Sequence, residues 1–563
     1  MLRPRCLAGP WRLTLLVGVG SFCFATAGAA EKEMAAEIEA TATRSVRAHT
    51  TFLADDLLEG RGASTRGHAI AMAYVAAQFE RLGLEPAGDR GFQQPLALRE
   101  ARTNLSAGKL VIKDRGGDVA LTTLTDTIVR PTTSRAKAEI TAPAVFVGFG
   151  IHAPEFGYDD FAYGVEVKGR IAVVLAGSPA KLPSTARAHY SRERSAEFAR
   201  RGAVGLITVG TPVEEKRVPW ALAANRARFP TMRLVNPDGS LLEDFPEIQV
   251  TASVSRAAAT ALFQRASRPI AEVFAASERS EPQAFPLEIE IQLAGAAEVS
   301  DVSSANVLGW LPGSDPSLAD EPVVVTAHLD HLGIGPAVAG DTIYNGALDN
   351  ALGSAAMLAA AEQLASGPRL LRPVLFAALT AEEKGLLGAY HLAAHPPARV
   401  KRYAANVNLD MPVILSAARD VIGIGAEHSS LGAALDAAAR RVGFTVSPDP
   451  APDEVVFVRS DQYPFVRAGV PALYLKAGVK GQDRKADPVA LEADFRRTHY
   501  HQPSDDLSRP IHWASAGAYA RLATDVVRTI ASEPVTAMWL ANDFFGRRFG
   551  RDRMSPDPAG QRK

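Results

Sequence analysis

At 563 residues the chain is too long for one ordinary domain and has room for two or three. Its 47% hydrophobic and 22% charged residues are the balance of a soluble globular protein, which excludes a disordered one. The 61 basic and 62 acidic side chains cancel, so no overall field favours nucleic acid or an anionic membrane as partner.

Residues 1–30 have the three-part pattern of a secretory signal peptide. "MLRPRCLAGPWR" is basic, "LTLLVGVGSFCF" is apolar and rather short for a membrane span, and "ATAGAA" offers small residues for cleavage after Ala29 or Ala30. Both cysteines, Cys6 and Cys23, lie in this segment, so the mature chain has no thiol for a disulfide or a metal. A periplasmic or secreted protein, not held in a membrane after cleavage, is expected.

Residues 31–135 read as an N-terminal helical segment, part of or packed on a larger domain. In it "AIAMAYVAAQFERLG" has helical apolar spacing and ends at Gly83, and "FLADDLLEGRGASTRG" reads as a loop between helices. Over 136–280 the texture shifts to short β-rich runs such as "AVFVGFG", "RIAVVLAG" and "GLITVG". Few polar residues there converge on a chemical pattern, so this inserted module is expected to be a structural or binding appendage.

From 281 to 540 near-continuous apolar strands ("PVVVTAHLD", "RPVLFAAL", "YAANVNLDM", "PALYLKA") alternate with helical stretches such as "GSAAMLAAAEQLAS". That pattern predicts an α/β domain, a mixed, mostly parallel sheet covered by helices on both faces. The stretch 541–563 is rich in Arg and Pro and is expected to be a disordered tail.

In α/β sheets ligands bind beyond the carboxyl ends of the strands. The first strand ends in "AHLDH", with His328 and Asp330 two apart and on one face. "YNGALDNALG" follows with Asp349, the second strand delivers Glu382 and Glu383, the third Asp410, and "THYHQPSDD" adds His501. Singly, each has an ordinary explanation: a hydrogen-bonded histidine, a helix cap, first-turn acids, a loop acid. Together they set two histidines and several acids at successive strand ends, a thiol-free donor set that suits zinc, with manganese or cobalt as alternatives.

"AHLDH", "YNGALDNALG", "TAEEKGLLGA", "NLDM" and "YHQPSDD", in that order, resemble the motifs of the dizinc aminopeptidases of metallopeptidase clan MH. The module resembles the protease-associated domain that many of them carry, and "LADDLLEGRGASTRG" resembles the N-terminal segment of exported bacterial members. The resemblance implies two Zn2+ ions per chain and a peptide substrate. It implies that Asp349 bridges the ions, that His328 and Asp410 complete one set, and that Glu383 and His501 complete the other. It makes Glu382 the general base, Asp330 the acid that orients His328, and Tyr500 a donor that polarises the substrate carbonyl. His331 and His499 receive no role and read as supporting or surface residues. The segment from Asp330 to Asp349 is longer than in the most compact relatives, so side-chain preference does not carry over.

Other activities stay open at this level. A glutaminyl cyclase shares the fold but uses one zinc, and a carboxypeptidase or dipeptidase of the clan would need Arg or Lys for the substrate carboxylate, with Arg459 and Lys476 as candidates. A non-catalytic receptor should have lost ligands or base, and this chain retains them.

Overall fold

The computed structural model describes residues 20–113, 116–482 and 486–555, of which 20–35 by backbone alone. The expected leader therefore lies outside them apart from the backbone of 20–30, which runs into a helix, Gly20–Leu53. No helix among the described residues is long and apolar enough to cross a membrane.

Most strands join one sheet of sixteen. Those used below are β1 (Gln93–Lys113), β2 (Lys137–Val147), β3 (Ala284–Leu311), β4 (Val323–His328), β5 (Val374–Leu379), β6 (Ala405–Leu409), β7 (Asp420–Ile424) and β8 (Ala472–Ala477). From β7 the order runs β8, β6, β4, β5, β3, β2. The pairs β8–β6, β6–β4 and β4–β5 are parallel, while β7 and β3 flank them antiparallel. This is the mixed, mostly parallel α/β sheet. Strands β4, β5, β6 and β8 are buried along their whole length, as apolar runs covered on both faces must be.

One core packs each face. The first joins the helices Leu352–Ala365 and Trp513–Ala531 to Val323, Val325 and Phe376, and the second joins Val324, Leu375 and Leu379 to Phe465 and Trp539. A third core around Val173, Ile207 and Val250 draws on residues 137–293 together with Leu110 and Ile112 of β1 and Val129. Strand β3 ties the halves together: its first part pairs with β2 and its last five residues with β5.

Two expectations are corrected. The N-terminal segment is helical only through Arg66–Arg81, because β1 follows and pairs with β3 from Glu290 to Val307. Alternation of buried and exposed residues along β1 is the strand period that composition alone concealed. The tail is ordered to residue 555: Phe545 and Trp539 are fully buried and the Trp539 indole donates to the Gly469 carbonyl at 3.0 Å. Aromatic side chains between the arginines hold it; residues 556–563 lie outside the described residues.

Candidate metal centre

His328, Glu383 and Asp410 sit where β4, β5 and β6 leave the sheet, Asp349 lies in the turn Ala347–Ala351, and His501 follows the helix Pro488–Thr498. His328 ends β4 with its Nδ1 3.0 Å from the Asp330 main-chain oxygen, which directs Nε2 into the site. Nε2 stands 3.0 Å from Asp410 Oδ1 and 3.3 Å from Asp349 Oδ1. Ser460 donates to the other Asp410 oxygen at 2.6 Å. On the opposite side of Asp349, His501 Nε2 lies 3.2 Å from Oδ2 and 3.1 Å from Glu383 Oε2. Asp349 thus faces two donor groups at once.

Asp349 was expected to open a helix. It lies instead in an irregular turn, Ala347–Ala351, ahead of the helix Leu352–Ala365, and its amide donates to Asp505. Asp505 is fully buried, accepts from the Leu348 and Asp349 amides at 2.9 and 3.0 Å, and has its pKa pushed up to about 7 by burial. It belongs to the quoted "PSDD" stretch, where only its depth in the fold marks it.

Two roles differ from expectation. The Asp330 carboxylate does not touch the His328 ring; its oxygens accept from the Glu382 and Glu383 amides at 3.0 and 3.4 Å, so it fixes the backbone of the two glutamates. The main chain holds His328 in its place because the turn after β4 folds back under the ring. His331, read as a supporting or surface residue, takes the buried place: it is fully buried with Nδ1 2.7 Å from Glu383 Oε1. His499 lies at the rim, paired with Ser504 and Arg509.

The residues fit a metal. His328, Asp349 and Asp410 form one converging group of donor atoms, and His331, Asp349 and Glu383 a second. Ligands held ~2.1 Å from one ion stand roughly 3.4 Å from each other in a tetrahedron. The four contacts made by His328 and His501 fall near that edge length. His331 Nδ1 and Glu383 Oε1 face each other at 2.7 Å without the geometry of a hydrogen bond, as two donors turned towards one ion would.

Electrostatics separate the two adjacent glutamates. Burial opposes ionisation of Glu383, but His501 and His331 outweigh it and hold its pKa well below the usual carboxylate range. Glu382 is pushed well up, first by burial, with Asp461 and Glu383 adding to it against His328. Paired carboxyls driven apart in this way suit one anionic donor and one proton carrier. Tyr500 stacks on His501 with ring centroids 3.9 Å apart, and burial, Asp349 and Glu383 keep its hydroxyl protonated. Asp461, also fully buried and pushed well up by burial, was not foreseen. Of the candidate carboxylate binders, Lys476 is committed to Glu492 at 2.8 Å, whereas Arg459 is exposed and meets only the Glu454 carbonyl.

Residues 306–527 match the model of Peptidase family M28. Among solved structures the chain resembles an aminopeptidase from Aneurinibacillus sp. strain AM-1, with 19% identity, TM-score 0.52, and 88% of this chain and 96% of that one covered. It also resembles a zinc aminopeptidase from Bacillus subtilis (19%, TM-score 0.43, 86% and 94%) and a Peptidase M28 precursor from Shewanella amazonensis SB2B (17%, TM-score 0.45, 89% and 98%). The fold is shared with the first of these. No curated protein matches the chain.

Proposed function

We propose that the chain, whose residues 306–527 match the model of Peptidase family M28, is an exported, zinc-dependent aminopeptidase with two ions per chain. The observation that carries this reading is Asp349 facing two donor groups, with Glu382 beside them on the Asp330 tether. His328 and Asp410 would hold one ion, Glu383 and His501 the other, and Asp349 both. His331, against Glu383, is the alternative third donor of the second set.

When bound, zinc supplies a water of lowered pKa and polarises the scissile carbonyl. Everything else falls to the chain. Glu382 takes the water proton on its carboxylate and delivers it to the departing amine nitrogen. Asp330 fixes the Glu382 backbone, so that the carboxylate works from one position. The Tyr500 hydroxyl, protonated at working pH, donates to the carbonyl oxygen as charge builds there. Export is supported by the leader-like residues 1–30 and the lack of cysteine after them.

The test is elemental analysis of protein purified without chelator, with assays on aminoacyl and carboxy-terminal reporters before and after chelation. About two zinc ions per chain and chelator-sensitive release of N-terminal residues are expected. Full activity with one ion would favour the cyclase-type site, and activity confined to carboxy-terminal reporters would favour a carboxypeptidase.

A further inference from the structure

The short helix Trp220–Arg226, from the segment expected to carry no chemistry, reaches the metal centre. Arg226 Cζ lies 5.3 Å from the centroid of the Tyr500 ring, on which His501 stacks. The approach is anchored: Asn225 donates to the Tyr344 hydroxyl at 3.2 Å, and Phe229 meets the Tyr344 ring edge-on at 5.0 Å. Tyr344 in turn ends the strand Asp341–Tyr344, five residues before Asp349.

Among the described residues the Arg226 guanidinium forms no hydrogen bond or ion pair, and its Nε is buried without an acceptor. Its neighbours differ. Arg496, 5.9 Å from the same ring, is neutralised by Glu492 at 2.9 Å, as Lys476 is. A partly desolvated guanidinium without an anion is costly unless an anion arrives to meet it, and a planar fork matches a carboxylate best. The distances of 3.9 and 5.3 Å to the Tyr500 ring set an upper bound on the separation from the His501 ring. One residue beyond the scissile bond, ~3.6 Å, plus an ion-pair contact spans most of that separation.

We propose that Arg226 forms an anion subsite for the α-carboxylate of a short peptide, so that the enzyme prefers free dipeptides and tripeptides to longer or C-terminally blocked ones. This rests on the aminopeptidase reading for its productive direction. The segment then acts in substrate selection by placing one charge over the exit side of the metal centre.

The experiment compares a dipeptide with its C-terminal amide on the zinc-loaded full chain. The parent protein should favour the acid in kcat/KM by about 10-fold or more, an interval typical of a charge-assisted pair. Arg226→Gln should collapse that acid-to-amide ratio towards one, and Arg226→Lys should restore part of it. A structural clasp on Tyr500 would weaken both substrates alike and leave the ratio unmoved, which would overturn the proposal, as would a parent that favours the amide. Binding of both peptides to Glu382→Gln protein by calorimetry gives a second readout without turnover. If neither peptide is hydrolysed but the acid still binds more tightly and loses that advantage in the Arg226→Gln double variant, the aminopeptidase reading fails and the subsite stands.

Discussion

Glu382 and Glu383 are adjacent in sequence and opposite in chemistry. Asp330 accepts from both of their amides, so both side chains leave from one tethered stretch of backbone. Glu383 then meets two imidazoles, while Glu382 meets the carboxyl-rich side, which raises its affinity for a proton. Glu382→Gln should keep metal content near that of the parent while turnover falls by a factor of about 100 to 10,000, the usual worth of a positioned general base. Glu383→Ala should lower zinc affinity together with rate. Paired metal analysis and steady-state assays decide the matter, and a Glu382→Gln protein that loses its metal would reverse the assignment.

Among the elements, the turn Asp56–Arg61 does more than link two helices. Arg61 is 1% exposed and its guanidinium donates to the carbonyls of Leu53, Leu329, Asn345 and Gly346. It thereby clamps the loop after β4 and the turn before Asp349 to the N-terminal segment. Removing it strands several buried acceptors, each worth about 1–3 kcal/mol. Arg61→Ala should cost about 3 kcal/mol or more in denaturant unfolding and weaken zinc binding. Arg61→Lys should not recover the loss, since an ammonium cannot reach four carbonyls in a plane. Unfolding within about 1 kcal/mol of the parent together with unchanged zinc affinity would refute the clamp.

At the scale of the molecule, burial lowers the pKa of several histidines outside the metal centre, among them His49 to about 4, His68 to about 3 and His189 to about 3. Each uses a ring nitrogen against a hydroxyl, of Tyr74, Thr380 and Tyr463 respectively. The sign follows from proton counts. An unfolded histidine binds its proton below about 6.5 while the folded one refuses it, so stability is full above 6.5 and falls on acidification from there towards the folded values. Each group adds a slope of up to about 1.4 kcal/mol per pH unit in that window. His189 and Tyr463 lie on opposite sides of the junction between the third core and the α/β sheet, so acid should loosen that junction. Denaturant melts from pH 7.5 to 5 should show the loss, and His189→Gln should reduce the slope by about one proton. An unchanged slope would mean that His189 is protonated in the folded chain.

The strand ends at His328 and Leu379, and the donors that follow them, were legible because a doubly covered strand leaves an unbroken apolar run and a ligand at its end breaks that run. The order of the motifs carried the site's family resemblance in the same way. What the sequence could not express was contact across the chain. The His331 approach to Glu383, the Asp505 support beneath Asp349 and the Arg61 clamp join residues 52 to 285 positions apart. Arg226 against Tyr500 is the same case, since nothing near either residue in the chain marks the other. Local periodicity is a property of neighbours, whereas burial and pairing depend on how β3 and the helices bring distant segments together, and only the tertiary structure decided those.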